Sequence, residues 1–238
     1  IQEAMLPRVE NIKAVFLDLF IYFKPRDIVS GDFYWFYQDG LKCVIAAVDC
    51  TGHGVPGAFM SMIGNNMLHE IVAQRGILEA NQILDHLNLG IRKVLRQYET
   101  HNQDGMDIAL CVIDQQKRII EFAGAHNPLL FIQDGSPSLI KGDRFPVGGD
   151  QYSDDRAFKK HIIPIKKNTI FYIFSDGYQD QFGGPLGRKF MARRLRHVLF
   201  EIHHLPMDKQ EKILDRILRN WTKSSRQIDD VLIIGIKV

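Results

Sequence analysis

With 238 residues, 45% of them hydrophobic, the chain can bury one large core, and no run of about 18 apolar residues offers a membrane span. The 30 basic and 28 acidic residues nearly cancel to a net +2, which argues against a general nucleic-acid binder. Three cysteines, Cys43, Cys50 and Cys111, follow no zinc spacing; Cys43 and Cys111 lie in apolar runs and are expected as buried, reduced thiols in a cytoplasmic setting.

The opening residues 1–7 read as the tail of a helix stopped by Pro7. With Ile rather than Met in first place, residues 1–13 are expected to end a linker helix from an upstream domain. Aromatic and β-branched residues predict a strand over 14–24, and Pro25 ends it. Residues 32–37 and 41–48 predict two further strands joined by the turn Asp39-Gly40. That hairpin brings Asp32 and Asp49 to the same end. Helical spacing follows over 56–74 and 80–98, an antiparallel pair suited to cover a sheet. Strands are predicted at 106–113, 118–123, 129–133, 137–141, 157–164 and 169–175, with 142–156 as a loop. Helices at 188–200 and 207–222 and a strand at 230–238 complete the chain. Runs of strands with segregated helices indicate an α+β fold with mainly antiparallel sheet, in a single domain spanning 1–238.

Asp49, Asp176 and Asp229 stand at ends of strongly apolar strands, where a charge must be solvated, paired or bound to metal. Asp32 follows Ser30-Gly31. An acidic residue beside glycine is often only a turn former, so the argument is collective. Carboxylates gathered together repel unless a cation joins them, and oxygen ligands suit Mg²⁺ or Mn²⁺. Two such ions would clamp a phosphate and acidify a bridging water.

Five segments in order carry a family resemblance: Ser30-Gly31-Asp32-Phe33-Tyr34, Asp49-Cys50-Thr51-Gly52-His53-Gly54-Val55-Pro56, Gly124-Ala125-His126-Asn127-Pro128, Phe174-Ser175-Asp176-Gly177 and Gln227-Ile228-Asp229-Asp230-Val231. The chain resembles the bacterial SpoIIE/RsbU-type members of the PPM (PP2C-like) metal-dependent serine/threonine protein phosphatases. The resemblance implies a four-layer αββα sandwich of two mainly antiparallel sheets flanked by helix pairs. It implies two Mn²⁺ or Mg²⁺ ions and hydrolysis of phosphoserine or phosphothreonine by a metal-bridging hydroxide. Asp49 then bridges the metals, Cys50 offers its backbone carbonyl, Asp176 and Asp229 serve the second metal, and Asp32 acts through water. Asp180 matches a third-metal position, although Ala125 stands where some members carry another acid for that site. Arg26, His53 and His126 are candidates for substrate binding, each with a bland reading as a surface charge, a structural residue and a turn residue. Asp107 either marks a strand end or reaches a metal-bound water.

The same resemblance implies a phosphoprotein substrate, such as a small STAS-domain regulator of a partner-switching pathway. It implies an upstream sensor domain in the same chain, a cytoplasmic place that includes the cytoplasmic part of a membrane-anchored sensor, and a homodimer among the expected states. The alternative is a catalytically silent domain of the same fold that only binds a partner. Arg188, Lys189, Arg193, Arg194 and Arg196 are read as crowding one helix, either as a solvated face or as a docking surface for an acidic phosphoprotein. Residues 182–187 are read as a glycine-rich flap, and the helix pair at 56–98 as a switch acting on the Asp49 loop.

Overall fold

The computed structural model describes residues 2–16, 18–149, 156–223 and 225–238. Two short helices come first, α1 (Gln2–Met5) and α2 (Val9–Val15), followed by β1 (Asp18–Lys24). The strand predicted from residue 14 therefore starts later. Val9, Ile12 and Phe16 recur at helical spacing and pack toward the core, and the Phe16 N–H closes the helix on the Ile12 carbonyl. A short β-rich window hid that periodicity.

The hairpin of β2 (Phe33–Asp39) and β3 (Lys42–Cys50) forms as predicted, turning at Gly40 with φ of 55°. Helix α3 (Gly54–Leu68) continues as a π-helical segment, His69–Gln74, before α4 (Ala80–Val94). The second predicted helix ends early because Arg96 is left-handed, with φ of 49°, and starts a separate turn, α5 (Gln97–Thr100). Then come β4 (Gly105–Asp114), β5 (Ile119–Ala125), β6 (Leu129–Gln133) and β7 (Ser136–Ile140). Within the predicted loop 142–156, β8 (Val147–Gly148) pairs with β4 and Asp143 bridges to Ala125; residues 150–155 of that loop lie outside the described residues. The strand predicted over 157–164 shrinks to β9 (His161–Pro164), and β10 (Ile170–Phe174) leads into a single turn, α6 (Gly177–Asp180).

The helix predicted over 188–200 begins only at Ala192. Phe182–Gly183 (β11) and Arg188–Lys189 (β12) pair as a small hairpin, so the segment read as a flap is one arm and the turn of that ladder. Arg188 and Lys189 thus stand on a strand and not on the helix with Arg193, Arg194 and Arg196. Helices α7 (Ala192–Ile202) and α8 (Met207–Thr222) precede the last strand, β13 (Val231–Lys237).

One sheet runs β1-β13-β10-β6-β7 and the other β2-β3-β4-β5-β9, with every ladder antiparallel. Strand alternation sorts the apolar residues into layers. Cys43, Ile45 and Ala47 of β3 meet Leu232, Ile234 and Ile236 of β13 between the sheets. Val44, Ala46 and Val48 face α3 and α4, packing with Leu68, Leu84 and Leu87. Ile233 and Tyr172 face α7 and α8, packing with Leu199 and Leu214. Both faces of each central strand are buried, which is why those strands read as unbroken apolar runs. The result is the expected αββα sandwich of two antiparallel sheets.

Candidate metal and phosphoester site

Strand ends from both sheets meet at one edge of the sandwich. Because Phe33 opposes Val48, Asp32 and Asp49 are brought side by side at the open end of their hairpin. Asp49 also stands opposite Asp107 on β4. In the other sheet, Ser175 donates its N–H to the Leu232 carbonyl at 3.0 Å, and its hydroxyl accepts the Leu232 N–H at 3.1 Å. That register sets Asp176 beside the Asp229-Asp230 turn.

The electrostatics show that these groups share one space. Burial raises the Asp49 carboxyl well above the usual range, and the charges of Asp32, Asp176, Asp107 and Asp229 raise it further. Burial likewise raises Asp32; the Ser175 hydroxyl opposes this, while Asp230, Asp229 and Asp176 add to it. Asp176 is pushed up to about 6, first by burial and then by Asp229 and Asp180. Asp229 is raised mainly by burial.

The donor set fits a hard divalent cation. It consists of carboxylate oxygens only, and Asp32 Oδ2 is buried with no hydrogen-bond partner. Cys50 points its thiol into the core, 5% exposed, while its carbonyl oxygen faces the Gly31 backbone, 3.3 Å from where a Cβ on Gly31 would lie. Among the described residues no three His, Cys, Asp or Glu side chains close into a preformed cage. Carbonyl oxygens and water would therefore have to complete the coordination, the usual habit of Mg²⁺.

The other predicted residues lie at the rim. Arg26 Nη1 donates to the Ile228 carbonyl at 2.9 Å, beside Asp229, and its Nε is 3.7 Å from Asp27. His53 Nδ1 is 3.5 Å from the same Asp27 carboxylate. His126 adopts φ of 55° and sets its Nδ1 2.9 Å from Asp107 Oδ1. Asp180, matched to a third-metal position, pairs with Lys189 at 2.6 Å, and Ala125 is fully buried.

Three contributors were not singled out from the sequence. Asp230, 2% exposed, accepts the backbone N–H groups of Arg26 and Gly31, each at 2.7 Å, and so ties the loop before β2 to the start of β13. Asp27 orients His53. Gln2 donates Nε2 to the Ser30 carbonyl at 2.6 Å and to Ser61 Oγ at 2.7 Å, joining α1, the Asp32 loop and α3. The doublet Asp229-Asp230 held one available signal, since two adjacent acids before a buried strand cannot both face a site.

The family model for Stage II sporulation protein E (SpoIIE) matches residues 39–238. Among solved structures, the SiaA-PP2C domain of Pseudomonas aeruginosa is 30% identical, with a TM-score of 0.89 over 100% of this chain and 92% of that one. The PP2C phosphatase domain with a regulatory fragment of SpoIIE from Bacillus subtilis is 15% identical, with a TM-score of 0.74 over 93% of this chain and 63% of that one. The RsbU and RsbW domains of Rv1364c from Mycobacterium tuberculosis are 17% identical, with a TM-score of 0.72 over 92% and 59%. Nothing similar emerges among curated proteins.

Proposed function

From a chain that belongs to the SpoIIE family and carries its PP2C-type phosphatase fold, we infer a metal-dependent phosphatase acting on phosphoserine or phosphothreonine of a regulatory protein. The observation that carries this reading is the meeting of Asp32, Asp49, Asp176 and Asp229 from strand ends of both sheets, with a buried carboxylate oxygen left unpartnered.

In this reading Asp49, central to the mutual repulsion, would serve both of two Mn²⁺ or Mg²⁺ ions, Asp32, Asp176 and Asp229 would hold them with it, and the Cys50 carbonyl would be a further oxygen donor. When bound, the cations supply Lewis acidity toward the phosphate and a water of lowered pKa. The chain's own groups do the rest. Arg26, fixed to the 228 carbonyl, offers its remaining N–H groups to phosphate oxygens. Asp107 and Asp27 orient His126 and His53 at the rim, where an imidazole can hand a proton to the departing serine or threonine oxygen. Solved relatives that join RsbU and RsbW domains support a phosphoprotein of a partner-switching system, such as a STAS-domain regulator, as the substrate.

The test is phosphate release from a phosphoserine peptide, with and without Mn²⁺, by the parent and by Asp176→Ala. Manganese-dependent turnover is expected, with a loss of roughly a hundredfold or more in the folded variant. A folded parent with no metal-dependent turnover would overturn the reading.

A further inference from the structure

A groove of about 990 Å³ opens between the β11–β12 hairpin and the start of α7. Its lining contains no acidic residue. Arg188, Arg193 and Arg194 enter it from two different elements, and no carboxylate lies within ion-pair distance of any of them among the described residues. Phe190 and Trp221 line its floor, the Arg194 guanidinium sits over the Trp221 ring at 4.3 Å from the ring centre, and Leu186 is 73% exposed. Exposed cations around an exposed leucine suit an acidic chain that also carries a large apolar side chain.

The groove is tied to the carboxylate site. Lys189, on its wall, pairs with Asp180 at 2.6 Å. The backbone of Met191 donates to Gln179 O at 2.7 Å and that of Phe190 to Gln181 O at 3.0 Å. Gln179 and Asp180 belong to the single turn that directly follows Asp176. The wall of the groove is thus bonded directly to the turn that follows Asp176.

We propose that the groove between the β11–β12 hairpin and α7 docks an acidic segment of the phosphoprotein substrate, with Leu186 receiving an apolar side chain of that segment and Arg188 and Arg193 reading its carboxylates. This deepens the phosphatase reading and rests on it. Each guanidinium offers a planar fork of N–H donors that matches a carboxylate.

The full chain is tested by fluorescence anisotropy with two labelled phosphoserine peptides, one flanked by Asp, Glu and a leucine, the other with those acids replaced by lysine. The acidic peptide is expected to bind at least about tenfold more tightly, with an advantage that shrinks as salt rises. Arg188→Glu/Arg193→Glu is expected to erase that preference and raise KM for the acidic peptide by roughly tenfold, leaving kcat and the Mn²⁺-dependent hydrolysis of p-nitrophenyl phosphate unchanged. Leu186→Ser, on an exposed turn, is expected to weaken binding of the acidic peptide, and to leave unchanged the binding of a third peptide that keeps the acids but has serine in place of the leucine. Equal binding of the two peptides, or a double variant with parent affinity, overturns the proposal; so does selective binding to phosphatidylserine vesicles in place of peptide. Absence of p-nitrophenyl phosphate turnover overturns the phosphatase reading instead, and the anisotropy reads the groove independently of it.

Discussion

Two buried aspartates at the site are chemically identical and physically opposite. Asp230 has backbone donors at 2.7 Å on each carboxylate oxygen. Asp32 has an oxygen with no partner and several like charges around it. Charge-assisted bonds to a satisfied carboxylate stabilise, whereas an unpaired buried charge costs. Asp230→Asn should therefore destabilise the protein by about 1–3 kcal/mol, because one backbone N–H must then face an amide N–H₂. Asp32→Asn should raise the urea midpoint of the metal-free protein and weaken Mn²⁺ binding. Urea unfolding in EDTA, paired with Mn²⁺ titration, reads both; if the two variants shift the midpoint in the same direction, the distinction fails. The sequence shows why such a site exists but not which acid does what. Asp229 and Asp230 are neighbours of one type, and only the register of β13 against β10 and the loop from β1 separates them.

At the scale of elements, the site depends on how α3 is seated. Its first turn lies against the Ser30–Asp32 loop so closely that a Cβ on Gly57 would sit 2.4 Å from the Gly52 carbonyl oxygen and 2.9 Å from Gly31 Cα. Both obstacles are backbone and cannot rotate away. Gly57→Ala must move α3, the 51–54 loop or the Asp32 loop. Farther along the same helix, a Cβ on Gly64 meets the end of the Met106 side chain at 3.0 Å and the Phe33 ring at 3.1 Å, where small side-chain shifts offer relief. We expect Gly57→Ala to raise the Mn²⁺ concentration for half-maximal turnover by roughly tenfold or more, and Gly64→Ala to leave it near the parent value. Equal metal dependence in both folded variants would sever α3 from the site. The helix itself was legible from its spacing. Its seat was not, because Val55 and Phe59 are apolar yet each 63% exposed, so hydrophobicity does not mark the buried side. The hairpin at 182–189 escaped for a related reason: two-residue strands are too short to show alternation, and arginine-rich Arg188-Lys189 reads as the start of the basic helix that follows.

For the whole molecule, the layered core was the easiest part to read, since the central strands β3, β4, β10 and β13 alternate between two buried faces and carry charged residues only at or near their ends. What the sandwich does with that core is bring charge to its rim. Folding forces carboxylates from both sheets into one partly buried space, and each is held above its ordinary range chiefly by burial. Asp176, for example, titrates near 6 when folded against an ordinary 3.8. A group raised in this way favours the folded state fully only below its unfolded value, and the advantage is lost as pH rises through the folded one. In EDTA, the contribution of Asp176 to stability should therefore fall between about pH 4 and pH 6, and that part of the drop should be absent in Asp176→Asn. In the phosphatase reading Mn²⁺ would bind the ionised carboxylates, so the stability it adds should grow over the same interval and be larger at pH 7.5 than at pH 5. Thermal unfolding across that pH range, with EDTA or with Mn²⁺, measures the difference directly. Parallel pH profiles in the two conditions would mean that these carboxylates do not meet a common cation, and the case for a metal-dependent phosphatase would lose its physical footing.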